Sequence, residues 1–110
     1  MLSISKVFII FAVVSCVYSV PTRGWREISI NLRRSIGSAY SAAEELHVTF
    51  VNMLKAYEKV ITAEYMDYYW VSFIAHSRGG VRQECQAYVM WLFRPTFRRI
   101  VISPSCRPAY

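Results

Sequence analysis

Four groupings of residues in this chain have side chains that could ligate, react or recognise a charged partner. Glu44-x-x-His47 sets a carboxylate and an imidazole three residues apart, which on a helix would share one face as half of a carboxylate-bridged di-metal site. Such a site needs a second Glu-x-x-His and further glutamates, and the other histidine, His76, has no glutamate three residues before it. The pair therefore reads as solvated side chains. Glu64-x-x-Asp67 sits beside Tyr65, Tyr68, Tyr69, Trp70 and Phe73 and suggests acid-base chemistry in an aromatic cleft. Glycosidase carboxylates, however, face each other from separate elements, whereas an i,i+3 pair lies on one helix surface.

The third grouping is Cys85 with Cys106. Two cysteines remaining in an exported chain argue for one disulfide rather than free thiols, and no Cys-x-x-Cys or adjacent histidine supports a catalytic thiol. The fourth is the segment Trp91-Leu92-Phe93-Arg94-Pro95-Thr96-Phe97-Arg98-Arg99-Ile100-Val101-Ile102, where arginines interleave with large apolar residues. Arginine and tryptophan are enriched at interface hot spots, and cations beside aromatics suit anionic surfaces. Trp91, Arg94, Phe97, Arg98 and Arg99 are accordingly the candidate partner-binding residues, against an acidic protein, an anionic glycan or a membrane surface. A core strand with solvated arginines between its apolar residues is the competing account. No Gly-x-Ser-x-Gly, His-Glu-x-x-His, phosphate-cradling glycine loop or zinc-type Cys/His spacing occurs, so no catalytic residue, metal site, cofactor or small-molecule substrate is indicated.

Charge distribution strengthens the fourth grouping. The chain carries 13 Lys+Arg against 7 Asp+Glu, a formal net charge of +6. Arg23, Arg26, Arg33 and Arg34 form one cationic end, and Arg78, Arg82, Arg94, Arg98, Arg99 and Arg107 the other. The segment between them holds Glu44, Glu45, Glu58, Glu64 and Asp67 against Lys55 and Lys59. Arginine forks pair bidentately with carboxylate, phosphate and sulfate and stack on aromatic rings.

Residues 1–19 have the layout of a signal peptide: one cation at Lys6, an apolar run from Val7 to Val14, then small residues that allow cleavage before Val20. An uncleaved anchor and a lipidated Cys16 are the rival readings of the same stretch. Export places residues 20–110 in an oxidising compartment as one small, secreted, basic domain. Arg33-Arg34 and Arg98-Arg99 are dibasic pairs at which prohormones are cut, although no glycine amidation donor follows.

The elements expected to position these groups are helical. From Trp25 onward apolar or small residues recur at Ile28, Leu32, Ile36, Ala39, Ala43, Leu46, Phe50, Met53, Tyr57 and Val60, steps of three and four that keep one helix stripe apolar. The spacing predicts a first helix near 23–36, a break at Gly37-Ser38 with Ser41 and Glu44 as a capping box, and a long second helix near 39–76, with an unbroken helix across Gly37 as the alternative. Gly79-Gly80 would end it. A third helix at roughly 81–93 would stop at Pro95, and residues beyond would run extended along it, tied back through Cys106.

The fold class expected is therefore mainly α: a small bundle or hairpin of two to three helices with a long central helix and a short extended tail held by one disulfide. The apolar stripe of that long helix leaves room for a homodimer. The function expected is a secreted, non-enzymatic binding or effector protein using its basic, aromatic carboxy-terminal face. A cationic membrane-active defence protein is the alternative.

Overall fold

The computed structural model describes residues 21, 23–59 and 65–109, so the expected signal peptide and the carboxylate of Glu64 lie outside the described residues. Five antiparallel strands form one sheet in sequence order: β1 (Trp25–Glu27), β2 (Thr49–Lys59), β3 (Met66–His76), β4 (Arg82–Leu92) and β5 (Arg98–Pro108). Among the described residues a single helix, α1 (Arg33–Leu46), connects β1 to β2 and lies across one face of the sheet, touching β2, β3, β4 and β5.

This overturns the mainly α expectation, and with it the two- to three-helix bundle, the long central helix and the helical third segment. The physical reason is clearest in β2. Its core-facing residues Phe50, Met53 and Ala56 oppose Ala75, Phe73 and Val71 of β3, and the pairing register shifts between Phe50 and Asn52 and again between Met53 and Lys55. Each β-bulge inserts one extra residue, so the inward positions recur every three residues instead of every two. A twice-bulged strand thereby imitates helical spacing.

In β4 the inward set Cys85, Ala87, Val89 and Trp91 keeps strict alternation and is buried throughout. Tyr88, Met90 and Leu92 on the opposite face are also large and apolar, and they fill in the pattern until it resembles a helix stripe. Gly79-Gly80 closes a hairpin rather than a helix: Gly80 has φ 79°, and Ser77 and Val81 are joined by a backbone hydrogen bond of 2.9 Å. The segment after Pro95 is extended, but its partner is β4 and not a third helix.

The helix that does form spans 14 residues, far fewer than the expected second helix, and runs straight through Gly37. Its buried face is Ser35, Ser38, Ala39, Ala42 and Ala43, all small, which brings the helix backbone close to the sheet. Gly37 is needed for that approach, since a Cβ there would lie 3.2 Å from Cζ2 of Trp91 and 3.4 Å from Cζ of Arg99. Ser41 does not cap a new helix; its hydroxyl donates to the Gly37 carbonyl within α1. His47, at φ 57°, ends the helix in the left-handed conformation. The apolar stripe offered to a second copy is divided between this helix and β2.

The core between α1 and the sheet contains Ala39, Ala42, Ala43, Ala56, Tyr69, Val71, Phe73, Ala75, Cys85, Ala87, Val89 and Trp91. Cys85 and Cys106 oppose each other on β4 and β5 and are joined by the expected disulfide. Ser103 has φ 51° and precedes Pro104, with a register shift between β4 and β5 nearby. A bulge and prolines on an edge strand blunt it against pairing with another chain.

Candidate functional site

The β4–β5 hairpin places the arginine-aromatic segment at one end of the sheet. β4 finishes at Leu92 opposite Arg98, the first residue of β5, so residues 93–97 form the connecting loop, with a cis peptide between Arg94 and Pro95. Tyr65, which leads into β3, joins this end: its carbonyl accepts a 2.7 Å hydrogen bond from the Phe93 amide. The two segments share a surface. Tyr65 is 47 % exposed, Phe93 41 % and Phe97 51 %, the two phenylalanine rings lie 5.7 Å apart, and the Arg94 guanidinium sits 5.9 Å from the Tyr65 ring.

Five residues were expected here, and the structure brings them to one end of the sheet in different roles. Arg94, Phe97 and Arg98 are exposed on the loop or at its edge. Trp91 points into the core at 8 % exposure, where its ring meets Tyr69 at 5.6 Å and its Nε1 donates to the hydroxyl of Ser38 on α1 at 2.8 Å. Arg99 is exposed as a residue, yet its guanidinium stacks on Trp91 at 4.4 Å and reaches the Gly37 carbonyl and the Ser41 hydroxyl. Trp91 and Arg99 therefore fasten the hairpin to the helix. Arg94, Phe97 and Arg98 stay at the surface with Tyr65 and Phe93, and the Phe97 ring also lies 5.8 Å from Trp91 and 5.6 Å from the Arg99 guanidinium.

Sequence reasoning missed Tyr65 and Phe93 as surface residues. Arg94-Pro95 between two alternating strands was the signal for a hairpin loop, and an aromatic in such a loop has no core to enter.

Among the described residues, no carboxylate of the acidic middle forms an ion pair with Arg94 or Arg98. Glu58 pairs with Arg26 and Arg34, and Glu84 takes a fork of two hydrogen bonds from Arg107 at 3.0 and 3.3 Å. Asp67 accepts from the Tyr69 hydroxyl at 3.2 Å. Burial first, and then the Asp67 charge, push the Tyr69 phenol well above its ordinary range. Among the described residues Arg94 and Arg98 have no ion pair.

The disulfide contributes to the site from a distance. Leu92 stands seven positions after Cys85, about 24 Å along β4, and the covalent ring from Cys85 to Cys106 contains the whole loop. The hairpin cannot splay while the bond is intact, so the loop is presented on a prepaired scaffold. No group of three or more His, Cys, Asp or Glu able to hold a metal occurs among the described residues; the Glu44 and His47 pair stands at the end of α1 without further ligands. No protein-family model, curated protein or solved structure matches this chain.

Proposed function

We propose that this chain is an exported, non-enzymatic binding protein whose β4–β5 end docks onto an acidic protein surface. The observation that supports the reading is the exposure of Phe93, Phe97 and Tyr65 side by side with Arg94 and Arg98, which have no ion pair among the described residues. Exposed aromatics flanked by free guanidinium groups combine two recognition terms. The rings supply burial at low entropic cost, and the cations steer an anionic partner and fix its register.

A protein is favoured over a glycan because two phenylalanine rings find apolar pockets in a protein and none on a sulfated chain. The test is a random peptide library selected against the immobilised native chain. Acidic peptides containing apolar residues should emerge, and their affinity should fall steeply as salt rises. Phe97→Ala should weaken them roughly tenfold or more. The pair Arg94→Gln and Arg98→Gln should weaken them and flatten the salt dependence, with little change in stability because exposed charges contribute little to folding. Selected peptides that bind all variants equally would refute the reading. Leakage of anionic but not zwitterionic vesicles, with no peptide selected, would instead establish the membrane-active alternative.

A further inference from the structure

The sheet face turned away from α1 carries a second feature, independent of the hairpin end. Register sets Lys55 of β2 opposite Ser72 of β3, Ser72 opposite Gln86 of β4, and Gln86 opposite Ser105 of β5. The adjacent row towards the hairpin end is Tyr57, Trp70, Tyr88 and Ile102, and the row on the other side contains Ile74, Glu84 and Arg107. Ser72 is thus a short side chain between Trp70 and Ile74 on the same strand. A recess opens above it, about 360 Å³, lined by Leu54, Lys55, Trp70, Ser72, Glu84 and Gln86.

Ser72 is only 7 % exposed, and its hydroxyl has no hydrogen-bond partner among the described residues. Buried hydroxyls are normally satisfied, because leaving one unpaired costs about 1–3 kcal/mol. This one is not sealed in. The one side-chain nitrogen or oxygen that is both closed off from solvent and unpartnered, among the described residues, is Nε of Arg34. The Ser72 hydroxyl therefore opens into the recess.

Directly across the strand pair stands Lys55, whose ammonium has no ion pair among the described residues. Glu84, the carboxylate on the wall, is already held by the Arg107 fork, which blunts its repulsion of an incoming anion. Beyond Leu54 and Glu84 the recess continues into a shallower trough of about 660 Å³ lined by Leu54, Ile74, Arg82, Arg107 and Pro108. Among the described residues lining recess and trough, Lys55, Arg82 and Arg107 are the cations and Glu84 the carboxylate.

We infer that this recess is a binding site for a small amphiphilic carboxylate. Its carboxylate accepts from the Ser72 hydroxyl and from the Lys55 ammonium, and its apolar body lies over Leu54 and Ile74. An uncharged alcohol would leave Lys55 uncompensated, and an ammonium would be repelled. The recess sets Lys55, Ser72, Glu84 and Gln86 beside the apolar surfaces of Leu54 and Trp70, so polar groups that fix orientation converge next to apolar area, as in small-molecule sites of several hundred Å³.

The test is a titration of the ¹⁵N-labelled native chain with octanoate, alongside octanol and octylamine as probes lacking the carboxylate. Octanoate should give saturable shifts at amides 54–55, 70–74 and 84–86, with octanol markedly weaker and octylamine silent there. Lys55→Gln should weaken octanoate roughly tenfold and Ser72→Ala by a few-fold, both variants keeping the spectrum of a folded chain. Octanol binding as tightly as octanoate, an unchanged affinity in Lys55→Gln, or saturable shifts confined to residues 93–98 would each overturn the assignment, as would no saturable binding at all.

Discussion

Ser38 is where the structure makes its sharpest energetic claim. The side chain is fully buried on α1, where its hydroxyl accepts from Trp91 Nε1 at 2.8 Å and donates to the Arg34 carbonyl at 2.7 Å. Ser38→Ala leaves the indole N–H, in a ring only 8 % exposed, without an acceptor. Stranding a buried donor costs about 1–3 kcal/mol. Alanine returns about 0.5 kcal/mol through its better helix propensity, so the net loss is about 0.5–2.5 kcal/mol. For a folded unit of this size each kcal/mol moves Tm by about 4–8 °C. The decisive measurement is a double-mutant cycle with Trp91→Phe, followed by far-UV circular dichroism in urea because one tryptophan is removed. With the indole donor gone, Ser38→Ala should cost nothing or stabilise slightly, giving a coupling of about 1–2 kcal/mol. A coupling below about 0.3 kcal/mol would show that Trp91 is held by packing alone and that the helix-to-hairpin bond is incidental.

Two further outcomes follow from the same core. Replacing Cys85 or Cys106 by Ser should cost about 3 kcal/mol, the chain-entropy value for a loop of this length, while leaving the strand signature in circular dichroism; native thiols that react freely with a maleimide would refute the bond. Tyr69 holds its proton more tightly when folded than when unfolded, so its contribution is complete below about pH 10 and is lost as the pH rises further. Tyr69→Phe should therefore flatten the fall in urea midpoint between about pH 9 and pH 11, and a variant as alkali-sensitive as the parent would contradict the assignment.

How much of this was legible in the sequence varied element by element. The cysteine pairing was read correctly, since joining Cys85 to Cys106 did not depend on which secondary structure carries them. The helix at 33–46 lies partly inside both expected helices, and Gly37 separated them because an isolated glycine was taken as a break. Its real cause, the approach of Trp91 and Arg99, is 54 or more residues away in sequence and invisible to any local window. β3 had the residues for a strand, with Tyr, Trp, Val, Phe and Ile in succession, but it is buried on both faces from Tyr69 to Ala75 and so shows no alternation. The arginine-aromatic segment was located from composition alone. Its division into anchors and contacts was not, because which face of a strand Trp91 occupies depends on pairing partners that the segment does not contain.

The charges on α1 show why local rules misled at this position. Arg33 and Arg34 stand in its first turn and Glu44 and Glu45 in its last, the reverse of what the helix dipole favours, and Leu32 offers no side-chain cap. Each misplaced charge costs about 0.3–1 kcal/mol at an exposed helix end, so a fourteen-residue helix with these ends is marginal by itself. It persists because its small-residue face packs on the sheet and because Arg34 reaches Glu58 on β2. Arg34 at the start of α1 is thus committed to Glu58 of β2, as Arg99 is committed to Trp91 and Arg107 to Glu84. Counting cations along the chain overstates the positive surface available to a partner. Once these anchored arginines are set aside, the cations beside exposed aromatic rings at the hairpin end are Arg94 and Arg98, and a charge-dependent partner of that end must answer to those two.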